Sequence, residues 1–360
     1  MEENSKGLFS EWIAAQAVTT GRSHIRDGTV CQDKTFVFSQ NHVFSVALAD
    51  GAGSARLSHF GAETVTKAIC TLMCERFDDF YNSPSPRPVS EQVIAFLLDQ
   101  LKKTAAEKNC EIKDLASTLL AVATQGDRFL ILHLGDGVVG YTKNGELKVA
   151  TAPKNGEFSN MTYFVTSPQA VNVMQIRKGD SHLIDGFVLM SDGTEASLYS
   201  KQMKQLAPVL QRLIQRLSET SAEYLEPSLQ SSLDEVVSKK TFDDCSLILA
   251  ARRENAYNEL DEKELNLFFH ITTRRSGAAK KQRERYLLIL DSLDEPGTIH
   301  EIAHEVKVKN IRYFKNRWIE PLMKWGYIEQ SGPEEYVRLI RKHVPFSETD
   351  DSKEGGESEA

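Results

Sequence analysis

The segment that decides the fold is residues 43–53, Val-Phe-Ser-Val-Ala-Leu-Ala-Asp-Gly-Ala-Gly. Its first seven residues form a nearly continuous apolar run, which is typical of a buried strand. The pair Asp50-Gly51 follows at once and favours a tight turn. The segment therefore predicts a buried strand that ends in a loop carrying a carboxylate.

Two other segments place a carboxylate at the border of an apolar strand. Asp192-Gly193 follows the apolar residues 188–190, and Asp243 shortly precedes the apolar residues 246–249. A carboxylate at a strand end is held rigidly, and several that converge form a site made of oxygen alone. Such a site suits the hard cations Mg²⁺ and Mn²⁺, whereas zinc favours His or Cys.

Each of these pairs also has a purely structural explanation. Asp-Gly is first of all a turn signal, and a single pair carries no function. Three carboxylates at strand ends in one domain favour a metal site, because converging carboxylates repel each other unless a cation lies between them. On the residues alone, both interpretations stay open.

Around these segments, strand and helix patterns alternate over the first 250 residues. Asn144-Gly145 is a strong two-residue hairpin signal. Pro227 is expected in the first turn of a helix, where its missing N–H is harmless. Hairpin-linked strands around paired helices indicate a mixed α+β architecture. The predicted strands are residues 43–49, 117–123, 128–134, 138–142, 146–151, 187–190 and 246–251; the predicted helices are residues 62–80, 91–103, 201–217 and 227–237.

Length and composition limit the function classes. The chain has 360 residues, which suggests two domains or one with an appendage. Its 41% hydrophobic and 26% charged residues exclude a wholly disordered or collagen-like chain. No apolar run is long enough for a membrane helix, and the acidic start lacks a signal core, so we expect a cytoplasmic protein. Five cysteines without recurring metal spacing predict buried thiols.

The charge is distributed unevenly along the chain. The net charge is −8 overall, but residues 271–345 contain 15 basic and 10 acidic side chains. Residues 346–360 contain six acidic side chains, one basic one and almost no apolar surface. This composition predicts a disordered acidic tail.

From Lys280 onward the pattern is helical again. Thr298 and Glu301 form a capping box, and residues 310–325 predict a longer helix, kinked or broken at Pro321. Three helices and a β-wing would make a winged helix-turn-helix-like domain. Contact with DNA or with protein stays open for this module, as does a simply solvated face. Its cationic cluster comprises Lys307, Lys309, Arg312, Lys315 and Arg317, with Tyr313 and Trp318 interleaved.

A set of motifs in one fixed order adds to this interpretation. It comprises Gly21-Arg22-Ser23-His24, Cys31-Gln32-Asp33, Ala49-Asp50-Gly51-Ala52-Gly53, Ser117-Thr118-Leu119, Gly135-Asp136-Gly137, Ser191-Asp192-Gly193 and Asp243-Asp244-Cys245-Ser246. The ordered set resembles the bacterial branch of the metal-dependent protein phosphatases, the type 2C or PPM-type class of Ser/Thr phosphatases. The resemblance covers residues 10–252.

This resemblance implies an αββα sandwich with two or three Mn²⁺ or Mg²⁺ ions at one end of the sheets. Asp50 then resembles the ligand that bridges two ions, with Gly51 offering its carbonyl. Asp192 and Asp243 resemble ligands of the first ion. Asp33 resembles an acid that acts through metal-bound water, and Asp136 a ligand of a third ion. The catalytic set implied is Asp33, Asp50, Asp192 and Asp243.

The activity implied is hydrolysis of phosphate monoesters by a water that bridges two cations. The implied substrate is a phosphorylated Ser/Thr protein, the product of a partner kinase. His24 and Arg26 are the two candidates for holding the substrate phosphate. Hydrolysis of a small phosphorylated metabolite or nucleotide is a further interpretation.

The sequence departs from the family pattern at several positions. Gln32 stands where the family has Glu, and Ala52 stands where animal relatives have His. Glu195 is a candidate for the third ion, because the expected Asp falls on Ala196. Gln32 and Ala52 support an alternative function, a catalytically weak or inactive phosphatase-like sensor or regulator that acts through its C-terminal module, whereas the retained Asp50, Asp192 and Asp243 favour catalysis.

We therefore predict four segments. Residues 1–252 form the phosphatase domain, 253–279 a connector, 280–345 the winged-helix-like domain and 346–360 the disordered acidic tail.

Overall fold

A computed structural model describes residues 10–153, 162–254, 262–273, 275–293, 295–325 and 327–338. The chain divides into two compact units. Glu11–Arg253 forms the first, and the described residues from Glu254 onward belong to the second. The predicted tail of residues 346–360 lies outside the described residues.

Two antiparallel five-stranded sheets make up the first unit. One has the order β1-β12-β9-β6-β7, and the other has the order β2-β3-β4-β5-β8. A short hairpin, β10-β11, stands apart. The strands are β1 Ser10–Thr19, β2 Lys34–Gln40, β3 Val43–Ala49, β4 Leu119–Gln125, β5 Arg128–Leu134, β6 Val138–Lys143, β7 Glu146–Thr151, β8 Gln175–Asp180, β9 Ile184–Met190, β10 Tyr199–Ser200, β11 Gln205–Leu206 and β12 Cys245–Glu254.

Helices cover the outer faces of both sheets. Those of the first unit are α1 Arg22–Asp27, α2 Ser58–Asn82, α3 Pro86–Lys108, α4 Ala170–Val173, α5 Asp192–Leu198, α6 Val209–Glu219 and α7 Ala222–Ser232. Helices α2 and α3 pack on the β2–β8 sheet through residues such as Phe77 and Leu97. Helices α6 and α7 pack on the other sheet through residues such as Leu210 and Leu229.

The two sheets face each other across a third core. Alternate residues of β3, among them Phe44, Val46 and Leu48, pack here against Phe187 and Leu189 of β9. Every residue of β3 is buried, because its other face supports α2. The layers are therefore helix, sheet, sheet, helix, and the predicted αββα sandwich is confirmed.

Strand register brings the acidic loops to one end of the sandwich. Lys34 at the start of β2 pairs with Ala49 at the end of β3. In the other sheet, Val138 of β6 and Leu247 of β12 both lie opposite Met190, the last residue of β9. The segments that directly precede or follow these residues contain every aspartate that the sequence analysis selected.

Most of the predicted strands form, and the hairpin at Asn144-Gly145 is confirmed. Both residues have positive φ, 52° and 71°, which is the backbone that a type I′ turn requires. The helix predicted over residues 201–217 was wrong in its first half. Residues 199–206 pair as β10-β11, and α6 begins only after Pro208.

Pro227 also lies elsewhere than predicted. It is inside α7 rather than in its first turn, because the helix begins at Ala222 after the N-cap Ser221. The Ser221 hydroxyl accepts a hydrogen bond from the backbone N–H of Tyr224, which fixes that start. A π-helical turn, Leu233–Val237, continues the segment.

The second unit combines helices with a three-stranded sheet of order β13-β15-β14. Its core contains the buried aromatic residues Tyr286, Phe314, Tyr327 and Tyr336. The capping box predicted at Thr298 and Glu301 is confirmed by both of its hydrogen bonds. The elements are α8 Glu262–Phe268, α9 Ser276–Asp291, β13 Gly297–Thr298, α10 Ile299–Glu305, α11 Ile311–Phe314, the π-helical turn Lys315–Ile319, α12 Glu320–Lys324, β14 Ile328–Gly332 and β15 Glu335–Arg338.

Candidate metal centre

Three carboxylates meet at the end of the sandwich. Asp50 follows β3, Asp136 lies in the turn between β5 and β6, and Asp192 is the first residue of α5 after β9. One oxygen from each lies within 4.8 Å of the other two. This is the spacing of ligands around a single cation.

Asp33 lies beside this cluster in the interior. Its side chain is fully buried, and the hydroxyl of Ser246 donates a 2.6 Å hydrogen bond to its Oδ2. Its Oδ1 atom is buried and has no hydrogen-bond partner among the described residues. The Oδ1 atom of Asp192 is likewise buried and has no hydrogen-bond partner among the described residues. Buried carboxylate oxygens without a donor are costly, so both atoms are suited to a cation or to water.

The electrostatics of the cluster oppose its full ionisation. Burial raises the pKa of Asp50 well above its ordinary value, and the carboxylates of Asp33 and Asp192 raise it further. Burial, followed by Asp136 and Asp243, raises the pKa of Asp192 to about 7. Burial also raises the pKa of Asp33 to about 6, although hydrogen bonds from Ser246 and other neighbours oppose the shift. A divalent cation would remove this repulsion.

The donor set fits Mn²⁺ or Mg²⁺. Its ligand atoms are all oxygens, as hard divalent cations prefer. Gly51 lies next to Asp50, and a side chain there would have its Cβ 2.7 Å from Ser58 Oγ. Only glycine can therefore occupy this position beside the cluster without displacing α2.

Asp243 lies at the rim rather than inside the three-carboxylate group. Its side chain is exposed, and its Oδ1 accepts a 3.1 Å hydrogen bond from the backbone N–H of Asp244. It is nevertheless close enough to raise the pKa of Asp192. Its assignment as a metal ligand stays a prediction.

The neighbouring Asp244 has a role that sequence reasoning missed. Its carboxylate is buried and accepts 2.6 Å hydrogen bonds from the backbone N–H groups of Gly21 and Gln32. His24 Nδ1 lies 2.9 Å from its Oδ1. Asp244 thus joins three segments that carry candidate site residues. The acidic doublet before a buried strand was the available signal.

The two candidates for phosphate binding lie on α1 and differ in their surroundings. The His24 side chain is 16% exposed and lies against Asp244. The Arg26 side chain is 73% exposed, and its Nε donates a 2.8 Å hydrogen bond to Asp27. Arg22, which was not selected from the sequence, anchors this helix: its Nε donates to the Thr241 carbonyl, and its guanidinium lies over the Phe242 ring.

Gln32 and Glu195 are both buried; Gln32 directly precedes Asp33, and Glu195 lies near enough to Asp136 to be affected by its charge. The Oε1 atom of Gln32 has no hydrogen-bond partner among the described residues. Glu195 lies one turn after Asp192 in α5, with its Oε1 3.1 Å from Lys201 Nζ. Burial, opposed by Lys201 and supported by Asp136, raises the pKa of Glu195.

The cysteines and the helices add two observations. All five cysteines are free thiols, and Cys70, Cys74 and Cys245 are buried. Among the described residues, no helix combines the length and the apolar character needed to cross a membrane.

The sandwich and its oxygen-only acidic cluster are those of a metal-dependent phosphatase. The model of the family described as protein phosphatase 2C matches residues 20–237, which is more than half of the chain. The chain therefore belongs to the protein phosphatase 2C family. The predicted family and the class of metal-dependent protein phosphatases are confirmed, and the three-carboxylate cluster fits the predicted cofactor, Mn²⁺ or Mg²⁺.

Individual relatives each match about two thirds of the chain. Serine/threonine-protein phosphatase 3 of Escherichia coli (strain K12) is 25% identical over 255 residues, which are 66% of this chain and 98% of the relative. A crystal structure of a bacterial serine phosphatase is 17% identical, with a TM-score of 0.49, over 67% of this chain and 98% of its own. The catalytic domain of the phosphatase PstP, in complex with 2 manganese ions, is 16% identical, with a TM-score of 0.43, over 68% of this chain and 100% of its own.

Proposed function

We propose that the protein hydrolyses phosphate monoesters of phosphoserine and phosphothreonine in proteins, with Mn²⁺ or Mg²⁺ bound at the acidic cluster. The observation that carries this proposal is the convergence of Asp50, Asp136 and Asp192 within 4.8 Å. Three converging, partly buried acids, of which Asp50 and Asp192 have raised pKa values, have no structural use that apolar residues would not fulfil better.

Asp50, Asp136 and Asp192 would hold the ions, with Asp33 and Asp243 completing the ligand set. When bound, such ions lower the pKa of water, polarise the phosphoryl group and neutralise its oxygens. The ligand roles of Gly51, Asp33 and Asp243 rest on the family resemblance.

Two polar contacts within the chain hold candidate site residues in place. Ser246 fixes Asp33 Oδ2, so the unpartnered Oδ1 is the atom available to accept a proton from water. The Asp244 carboxylate lies 2.9 Å from His24 Nδ1, so Nε2 is the ring nitrogen that is left for a phosphate oxygen. We assign phosphate contact to His24 first and to Arg26 second, because Arg26 is already paired with Asp27.

A protein substrate is favoured over a small metabolite by the surface next to the centre. Phe242 immediately precedes Asp243 and is 66% exposed, and Ile25 on α1 is 67% exposed. The hydroxyl of Ser23 in α1 donates a hydrogen bond to the Phe242 carbonyl, which ties the two segments together. Exposed apolar side chains at the rim suit the residues that flank a phosphorylated serine or threonine. The substrate would be the product of a protein kinase, in the cytoplasm that the composition predicts.

The experiment is phosphate release from an aryl phosphate and from a phosphoserine peptide. Purified protein is assayed with Mn²⁺, with Mg²⁺ and with EDTA, beside Asp192→Asn. We expect turnover that requires a metal, is lost in the variant and has the higher kcat/KM on the peptide. A folded protein without turnover under any condition would overturn the proposal and favour a phosphatase-like sensor, for which Gln32 in place of an acid is the supporting feature.

A further inference from the structure

The second unit carries an exposed cationic face, here called the basic surface. It is formed by the loop after α10 and by the helical segment that begins at Ile311. Its five cations are all exposed, and a single acid, Glu320, lies between residues 307 and 324. The members of the basic surface are Lys307, Lys309, Arg312, Lys315 and Arg317.

These cations lack anionic partners within the part of the chain that the structure describes. None of the five lies within 4.0 Å of a described carboxylate, whereas Arg283 in the same unit pairs with Glu262 at 3.1 Å. The guanidinium of Arg317 lies over the Trp318 ring instead. Unneutralised like charges repel each other, so a polyanionic partner would relieve the repulsion.

The fold does not need these side chains. The same helical segment buries Phe314, Ile319 and Leu322 on its inner side, and these residues belong to the unit's core. Asn310 caps its first turn by accepting a hydrogen bond from the Tyr313 backbone N–H. The helical segment is therefore held through its inner side, and its cations, Arg312, Lys315 and Arg317, are exposed outside the core.

Neutral polar groups lie between the cations. Asn310, Arg312, Tyr313, Asn316 and Arg317 line one open depression. Tyr313 is 57% exposed. Arginine and asparagine are the side chains that pair with guanine and adenine at the edges of base pairs. A surface that served only to repel other molecules would not need neutral hydrogen-bonding side chains between its cations.

We propose that the basic surface binds double-stranded DNA, with the helical segment of residues 311–324 facing the major groove. An α-helix fits the major groove of B-form DNA, whereas the deep and narrow major groove of double-stranded RNA does not admit one. All five cations contact phosphates, and Asn316 contacts a base edge. This binding goes beyond the phosphatase activity and does not depend on it.

The test is fluorescence anisotropy of a labelled duplex of about 30 base pairs with the full-length protein, over about 50 to 200 mM salt. Five phosphate contacts predict a slope of log K against log salt of about −4.5. The variant is Arg312→Gln with Arg317→Gln. Its matched control is Lys67→Gln with Lys103→Gln, which removes two cations paired with Glu63 and Asp99.

We expect the arginine variant to weaken duplex binding at least tenfold and to reduce the salt slope by about 2, with the control unchanged. Phosphatase activity and melting temperature should be the same in all three proteins. Equal binding by the variant and the control, or no saturable binding at low salt, would overturn the proposal. Stronger binding to single-stranded RNA or to an acidic phosphopeptide than to the duplex would also overturn it.

Discussion

Asp244 Oδ2 accepts a 2.6 Å hydrogen bond from the backbone N–H of Gln32, 212 residues earlier in the chain. The other oxygen of the same carboxylate accepts from the Gly21 N–H. Asp244, the neighbour of the rim residue Asp243, thus fixes the segment that carries Asp33. The geometry of the acidic cluster therefore depends on a residue that does not belong to it.

Asp244→Asn should damage both stability and activity. Both carboxylate oxygens accept from backbone N–H groups, so an amide would turn its NH₂ toward one of these donors. We expect a loss of about 1–3 kcal/mol in the free energy of unfolding, measured by urea denaturation, and a raised Mn²⁺ requirement. Asp243→Asn is the matched control. Because Asp243 is exposed and its charge opposes that of Asp192, its substitution should not lower the unfolding free energy, and an equal loss in both variants would refute this role for Asp244.

Asp192→Asn should abolish turnover and still stabilise the metal-free protein. The substitution removes a buried charge that Asp50, Asp136 and Asp243 all oppose. We expect a melting temperature in EDTA above that of the unmodified protein, and a smaller increase on addition of Mn²⁺. A melting temperature below that of the unmodified protein would show that the Asp192 carboxylate is needed by the fold itself.

The stability of the metal-free protein should fall as the pH rises. The folded-state pKa of Asp33, about 6, and that of Asp192, about 7, lie above the value of about 3.9 for an unfolded chain. At pH values between the unfolded-state and the folded-state pKa values, the folded state therefore binds more protons than the unfolded state. Its extra stability is complete below pH 4 and is lost as the pH rises through the folded pKa values.

Melting temperatures in EDTA from pH 5 to pH 8 measure this loss. Each unit of pKa difference corresponds to about 1.4 kcal/mol, before the coupling between neighbouring acids is considered. Mn²⁺ should flatten the dependence, and Asp192→Asn should reduce its slope. A melting temperature that rises between pH 5 and pH 8 in EDTA would contradict the assignment.

Gln32→Glu should lower the Mn²⁺ concentration needed for half-maximal activity. The Gln32 side chain is buried near Asp33, and its Oε1 has no hydrogen-bond partner among the described residues. A carboxylate there would add a charged oxygen to the ligand set. Titration of activity against Mn²⁺ measures the change, and Gln32→Met is the control for a residue of similar size. An unchanged Mn²⁺ requirement in Gln32→Glu would show that this side chain does not face the ions.

The sequence predicted the parts of the fold that local pattern determines. The apolar run of β3 and the Asn144-Gly145 turn are decided by residues that are neighbours in the chain, and both formed as expected. The helix predicted over residues 201–217 failed because a pairing between Tyr199 and Leu206 overrides the local propensity. Hydrophobic periodicity does not reveal such a pairing.

The residues of the candidate site likewise divide into those that the sequence predicted and one that it did not. Asp50 and Asp192 were selected because each lies at a strand end, and Asp136 because its motif resembles the family pattern. The register of the strands brings the three together. Asp244 was missed because its partners, Gly21 and Gln32, are more than 200 residues away and bind through backbone atoms. A sequence shows that an acid is present, but not which N–H groups it accepts from.

Removal of residues 255–360 should leave phosphatase turnover intact. The three cores of the first unit use only residues up to Ala251, and the core of the second unit begins at Leu265. Each unit therefore buries its own apolar surface. We expect unchanged kcat and KM for an aryl phosphate in the truncated protein, together with complete loss of duplex binding. Calorimetry of the full-length protein provides the control, since independent cores predict two separable unfolding transitions. A folded but inactive truncation would show that the second unit completes the catalytic site.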